Sequence, residues 1–438
     1  MFYNLLKILL GIGTKLYYKE VKVNNVEGLD YDGPKIIIAN HPNTLLDAWI
    51  IGQVSKEKIY FMTKGTFFNT GLKKWFLKGL GLIPINRATE SVTKGVSNES
   101  SFETCYRVLE EGKVLVVFPE GNSFIERQLR DLKSGTARIA LEVEKRGLAS
   151  KPIKIIPMGL IYSEANKFRS SVLANVGEAI DPSPFLELYK ENSIKGAKGL
   201  TEEFRKSLEG LLVNSTSTDH EGLVEDIVQI LSSQYVKSEK KGVELVAEQI
   251  KETHGRINDV LSSTPEKMTE ISQLVNQIKN QLEHLGIKSD FLDRSYRPRM
   301  FGRQLVQSTL LLIVGFPLFI YGAIHSILPY KFTDIVMPKL VKEPEYYAPV
   351  AILLGLVLYP LTYTGILLLV SHYYELNGWI MLFYWLSMPL TGLIAFNYYR
   401  YTEHISLKTN YMFLMRTEKE TIKSLMKNRE RLKSLISD

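Results

Sequence analysis

Between residues 34 and 182 short apolar, β-branched runs alternate with amphipathic stretches of about 10 to 15 residues, the pattern of an α/β domain. The strands this predicts are Lys35 to Ala39, Lys58 to Met62, Gly81 to Ile85, Val114 to Phe118, Ile153 to Leu160 and Val172 to Val176. Helical stretches between them imply a mixed, at least partly parallel sheet flanked by helices, with functional loops at the strand ends. From about 183 to 300 the strands stop and the chain becomes charged and helical. There Ile271, Val275, Ile278, Leu282 and Leu285 step by four and three, drawing one apolar stripe. Two heptads are too few for a coiled coil, so this region reads as a helical insertion.

After residue 304 the pattern changes again. Three stretches, 305 to 328, 346 to 370 and 379 to 399, have no Lys, Arg, Asp or Glu in their interiors. A hydrocarbon core needs roughly 20 apolar residues as helix, so each is a membrane segment. Pro317, Pro360 and Pro389 lie inside them, which a membrane helix tolerates because its neighbours re-satisfy the freed carbonyls. Arg294, Arg297, Arg299 and Arg303 precede the first segment, and the tail after Tyr399 is also basic. The positive-inside rule puts both on the cytoplasmic side, which three complete crossings cannot satisfy. Either one segment is re-entrant or interfacial, or the N-terminus inserts as well. The N-terminal run FYNLLKILLGIGTKLYY is short, with Lys7 and Lys15 on one face, and reads as an interfacial amphipathic helix without a signal-peptide cleavage pattern. The expected organisation is therefore 1–29 interfacial segment, 30–182 α/β domain, 183–304 charged helical region, 305–399 membrane region and 400–438 basic cytoplasmic tail.

Composition narrows this further. The 438 residues are 45% hydrophobic with a net charge of +7, which suits an acidic partner: nucleic acid, anionic lipid or a phosphorylated substrate. The single cysteine, Cys105, excludes an internal disulfide and a multi-cysteine zinc site, and its expected role is buried packing. Apart from His41, the histidines (His220, His254, His284, His325, His372 and His404) have no metal-ligand spacing, so no metal is expected. The motifs of serine hydrolases, P-loop NTPases and dinucleotide-binding folds are absent.

The most informative stretch is KIIIANHPNTLLDAW. An apolar strand runs into Asn40, His41 and Pro42 ahead of a helix that carries Asp47. Proline suits a first helical turn, so the helix should start near Pro42. Positions six apart in a regular helix differ by about 240°, so His41 meets Asp47 only from outside the helix. A carboxylate on one imidazole nitrogen fixes the tautomer, leaving the other nitrogen to accept a proton from a hydroxyl. By itself a His with an Asp six residues later is more often structural. Three further strand-end loops supply context: GLIPINR, ending in Arg87; VLVVFPEGNS, presenting Glu120, Gly121 and Ser123; and IIPMGLIY. An arginine at a strand end suits bidentate phosphate contact.

Together and in this order, over residues 30 to 182, these blocks resemble the phospholipid and glycerol acyltransferase superfamily. The likeness is closest to its fungal-type glycerol-3-phosphate and dihydroxyacetone-phosphate acyltransferase branch. HPNTLLD has five residues between His and Asp where the commoner block has four, and FPEGNSF stands in place of FPEGTR; LKSGTARIAL and KFRS also look like that branch. The resemblance implies that His41, oriented by Asp47, deprotonates an acceptor hydroxyl for attack on an acyl thioester. Coenzyme A or acyl carrier protein would leave, and no cofactor is needed. It also implies that Arg87 binds the acceptor phosphate while Glu120 and Gly121 shape its pocket, with Lys64 and Lys133 as further contacts. Ser123 occupies the place of the missing arginine and offers a hydroxyl; Lys133, Arg127 or Arg130 would then supply the charge.

The expected protein is thus an integral membrane O-acyltransferase with its catalytic domain on the cytoplasmic face. Its partners would be an acyl thioester, a phosphorylated glycerol-type acceptor and membrane lipid, not nucleic acid. The acceptor is glycerol-3-phosphate or dihydroxyacetone phosphate, with 1-acylglycerol-3-phosphate as the alternative. An inactive lipid-binding scaffold is the alternative of another class.

Overall fold

The computed structural model describes residues 2–68, 75, 77–86, 97–125, 128–212, 221–231, 241–292 and 298–437. These form two compact units, one built from 1–216 with 242–247 and 341–352, the other from 217–241, 248–340 and 353–438.

In the first unit seven strands make one sheet: β1 (Glu20–Asn24), β2 (Lys35–Ala39), β3 (Ile59–Lys64), β4 (Leu82–Ile85), β5 (Val114–Val117), β6 (Lys154–Tyr162) and β7 (Ser171–Val176). Their order is β1-β7-β6-β2-β5-β3-β4. Every neighbouring pair is parallel except β6 with β7. The mixed sheet with flanking helices expected from the pattern is therefore present. β2 lies at the centre between β5 and β6, and all five of its residues are buried. A strand covered on both faces reads as a continuous apolar run rather than an alternation, which is why KIIIA is so legible. β1 lies upstream of residue 30 and has only two apolar residues, Val21 and Val23. It exists because its backbone pairs with β7 at the sheet edge, from Glu20 opposite Ser171 to Asn24 opposite Asn175.

Helices α1 (Phe2–Tyr17), α2 (Leu45–Val54), α3 (Asn98–Glu110), α4 (Gly135–Arg146) and α5 (Ser193–Leu211) accompany the sheet. α3 packs on β4 and β5, α5 on β6, and α1 on α2. α1 is held by Lys7 Nζ donating to the Ser55 carbonyl at 2.7 Å and by Gln53 donating to the Thr14 hydroxyl at 3.1 Å. Its opposite side exposes Phe2, Leu5, Ile8, Leu9, Ile12 and Leu16. Cys105 is fully buried on α3, and burial pushes its thiol up to about 12.

In the second unit α6 (Lys267–Leu285) buries Ile271, Val275, Ile278 and Leu285, four of the five expected stripe positions, with Leu282 half-buried, and packs on α10 (Lys419–Ser437). Between them in sequence come α7 (Pro298–Leu340), α8 (Tyr347–Tyr373) and α9 (Gly378–Thr417). These three are long and apolar enough to cross a membrane. Their large side chains, among them Val314, Ile324, Leu361, Leu368, Phe383 and Leu390, point outward, an arrangement costly in water and favourable in lipid that suggests membrane insertion. α9 runs unbroken past residue 399 to Thr417. α7 and α9 are antiparallel: Tyr401 Oη donates to Ser308 Oγ, Tyr398 Oη to the Leu312 carbonyl, and Tyr321 Oη meets Ser387 Oγ. His325 joins this seam, with one ring nitrogen on the Tyr321 carbonyl and the other 2.8 Å from Tyr384 Oη, so it is structural.

Candidate active site

The parallel strands β2, β5 and β3 all end on one side of the sheet, and the chemistry-bearing residues sit just past those ends. This is the crevice outside the carboxyl ends of strands where open α/β sheets hold ligands. Asn40 closes β2 by reciprocal bonds with Leu160 on β6: its amide donates to the Leu160 carbonyl at 2.9 Å and its carbonyl accepts from the Leu160 N–H at 2.7 Å. His41 therefore leaves the sheet from a pinned position. α2 begins only at Leu45, three residues later than the Pro42 start that proline chemistry suggests. His41 is outside the helix, as the six-residue spacing requires.

His41 Nδ1 lies 2.9 Å from Asp47 Oδ2. The same oxygen accepts from the Asn43 N–H at 2.7 Å, and the other carboxylate oxygen accepts from Tyr162 Oη at 2.5 Å. Asp47 is completely buried. Three hydrogen-bond partners thus hold the carboxylate, as a buried polar group needs. Burial first, and the Asp47 charge second, raise the Tyr162 phenol well above its ordinary range, so Tyr162 stays protonated and donates. The His41 ring stacks on Phe118, centroids 3.9 Å apart and planes within 8°, which fixes its rotation. An Nδ1 that donates to the Asp47 carboxylate leaves Nε2 able to accept a proton.

A loop after β5 braces this turn from the other side. Glu120 accepts from the His41 N–H at 2.9 Å with one oxygen and from the Arg130 N–H at 3.2 Å with the other. Burial raises its pKa, opposed by those two backbone bonds. The Phe124 N–H donates to the His41 carbonyl at 3.0 Å, and Ser123 Oγ accepts from the Thr44 N–H at 2.9 Å. Gly121 has φ +79°, and a Cβ there would stand 2.5 Å from Lys133 Nζ, so glycine lets the loop turn beneath the lysine.

A cleft of about 440 Å³ opens over the pair. Leu45, Ala48, Phe61, Met62, Phe118 and Phe124 give it apolar walls; His41, Thr44, Thr63, Lys64, Asn122 and Ser123 give it polar groups, and Glu343, Glu345 and Tyr346 complete the lining. A site of this mix suits a ligand with both an acyl chain and a polar head. Of the residues singled out from sequence, the fold brings His41, Asp47, Lys64, Glu120, Gly121, Ser123 and Lys133 together around this cleft or the turn behind it. Glu120 spends both oxygens on backbone, and Lys133 lies over Gly121. Arg87 and Arg127 lie outside the described residues, while the Arg130 guanidinium stacks 3.6 Å from the Phe124 ring. Sequence reasoning missed Asn43, Phe118 and Tyr162. Phe118 and Tyr162 end two of the strand motifs quoted above, and a large polar aromatic closing an apolar run was the available signal for Tyr162. Among the described residues no group of three metal-ligating side chains occurs.

Residues 20–161 match the sequence model of the family described as Acyltransferase. Similar curated proteins include glycerol-3-phosphate O-acyltransferase 2 of Saccharomyces cerevisiae, 28% identical over 125 residues, covering 28% of this chain and 17% of that one. Glycerol-3-phosphate O-acyltransferase 1 of the same yeast is 28% identical over 144 residues, covering 32% and 18%. An uncharacterised acyltransferase of Schizosaccharomyces pombe is 30% identical over 123 residues, covering 27% and 17%. The match thus spans less than a fifth of each relative. Among solved structures the 1-acyl-sn-glycerophosphate acyltransferase of Thermotoga maritima aligns with TM-score 0.32 and 20% identity, over 46% of this chain and 79% of that one.

Proposed function

Because residues 20–161 form a domain of the phospholipid and glycerol acyltransferase superfamily, we propose that the chain is a membrane-bound O-acyltransferase. It moves a fatty acyl group from an acyl thioester to glycerol-3-phosphate or dihydroxyacetone phosphate. The observation that carries this reading is the His41–Asp47 pair at the mouth of a cleft with apolar walls and a lysine. The printed names of the two budding-yeast relatives support the acceptor.

In this mechanism the acceptor hydroxyl lies against His41 Nε2 and gives it its proton as the oxygen attacks the thioester carbonyl. Asp47 steadies the imidazolium through Nδ1. The tetrahedral intermediate collapses, the C–S bond breaks, and the thiolate takes the proton back from Nε2. Atoms and charge balance without a cofactor. Phe118 holds the ring plane, and the donors Asn43 and Tyr162 keep the carboxylate aimed. Lys64 faces the acceptor phosphate on the polar side, and Leu45, Ala48, Phe61 and Met62 take the start of the acyl chain; Arg87 and Lys133 are the further phosphate contacts that the family resemblance implies. The exposed apolar face of α1 rests in the membrane interface, with the catalytic domain on the cytoplasmic side.

The test is thiol release by the full-length protein offered acyl-CoA or acyl-carrier-protein donors with glycerol-3-phosphate, dihydroxyacetone phosphate and 1-acylglycerol-3-phosphate in turn. Turnover with the first or second acceptor, reduced about 10² to 10⁴-fold by His41→Ala, is the expected result. Full activity of His41→Ala, or no turnover with any pairing, would refute the proposal. Turnover only with the monoacylated acceptor would reassign the substrate.

A further inference from the structure

Three cleft residues come from far outside the matched domain. Glu343, Glu345 and Tyr346 line the same cavity as His41 and Ser123, although they lie in the short segment between the apolar helices α7 and α8. The segment 341–352 belongs to the same compact unit as the catalytic sheet. Its contact with the catalytic turn is specific: Thr44 Oγ1 donates to the Glu345 carbonyl at 3.0 Å.

Thr44 is an unusual place for such a contact. Its φ of +43° and ψ of −122° put a β-branched residue outside the ordinary basins, a conformation that persists only when the surroundings over-determine it. Two bonds do so here, the N–H to Ser123 Oγ and the hydroxyl to Glu345. The turn they hold is the one that aims the Asn43 N–H at Asp47 and leaves His41 outside α2.

We infer that segment 343–346 is a strap that completes the catalytic cleft and, through the Glu345 carbonyl, makes Thr44 a positioning residue for the His41–Asp47 pair. The acyltransferase site is then built from two parts of the chain about 300 residues apart, one of them tied at both ends to apolar helices. It follows that the strap and the catalytic sheet share one face of the membrane. The positioning role rests on the acyltransferase reading above; the shared face does not.

Two experiments on the full-length chain test this. In sealed membrane vesicles of known orientation, Lys342→Cys, the residue next to the strap, and Lys198→Cys on the catalytic unit, both exposed positions, are probed with a membrane-impermeant maleimide; native Cys105 is buried. Labelling of both from the same face is expected, and labelling from opposite faces would overturn the strap whatever reaction the protein performs. Separately, Thr44→Val removes the hydroxyl with shape preserved, and Thr44→Ser keeps it. The expected result is a kcat about five- to tenfold lower for the valine variant, from the loss of one neutral hydrogen bond. The acceptor KM should be unchanged, and the serine variant should recover most of the rate. A valine variant with wild-type kcat, or a serine variant as slow as valine, would overturn the positioning role. If Thr44→Val does not fold, the serine variant and the labelling pair still decide. An inactive wild type would count against the acyltransferase reading alone, leaving the labelling result to stand.

Discussion

Replacing Tyr162 with phenylalanine removes one oxygen and leaves the ring volume in place, so no cavity forms at the end of β6. The lost contact is the 2.5 Å bond to Asp47. The other two donors, His41 Nδ1 at 2.9 Å and the Asn43 N–H at 2.7 Å, both act on the opposite carboxylate oxygen. With Asp47 fully buried, water does not readily replace the phenol. A hydrogen bond to a charged group contributes about 1.5 to 3 kcal/mol, and here the loss belongs in the upper part of that range. Part of it appears as lower stability, because the bond is already made in the resting protein. The remainder appears as slower catalysis, because the carboxylate is freer to turn away from the imidazolium. An even split of about 3 kcal/mol gives roughly a tenfold fall in kcat, at about 1.4 kcal/mol per decade, with a similar loss in unfolding free energy. Initial rates of thiol release and thermal unfolding of the same detergent-solubilised preparation measure the two parts. Tyr162→Phe with unchanged rate and unchanged unfolding would refute the reasoning. Inactivation as complete as His41→Ala, with folding intact, would also refute it by giving the phenol a direct part in the reaction.

Other consequences follow from the same geometry. Gly121→Ala places a Cβ at φ +79° and 2.5 Å from Lys133 Nζ; the lysine can swing away but the backbone strain stays, so a loss of about 1 to 2 kcal/mol is expected in thermal unfolding. Burial raises Glu120 above its ordinary value of 4.5, so the fold binds its proton more tightly than the unfolded chain. Its contribution is greatest at low pH and is lost as pH rises from 4.5 through the raised value. Glu120→Gln abolishes that slope, and melting curves of the two proteins at stepped pH should therefore diverge in favour of the variant as pH rises; parallel curves would contradict this. Gly322→Leu puts a side chain where a Cβ alone would collide with the Thr391 carbonyl oxygen. The α7–α9 pair must then separate and lose the Tyr398 and Tyr401 bonds, visible as faster proteolysis in detergent.

The sequence alone determined what depends on local pattern. The central strand β2 was legible because a strand buried on both faces carries a continuous apolar run, here Ile36 to Ala39, and the three long helices because an apolar run of that length has few other uses. The His41–Asp47 pair was legible only through the three strand-end motifs that follow it in order, since the spacing by itself is more often structural; helix geometry added that His41 must lie outside the helix. The tertiary structure decided the rest. Strand β1 has too few apolar residues to announce itself and exists through backbone pairing with β7, which no local pattern encodes. The partners of Asp47 needed the fold for the same reason: Tyr162 is 115 residues away along the chain and reaches the carboxylate only because β6 lies beside β2. The fold also turned Glu120 from a pocket residue into a brace for the His41 N–H, since an acidic side chain past a strand end reads alike whether it faces a ligand or a neighbouring loop. Least legible was the strap. Glu345 reaches Thr44 through a backbone carbonyl, a group every residue carries, so the contact that completes the cleft leaves no trace in side-chain identity.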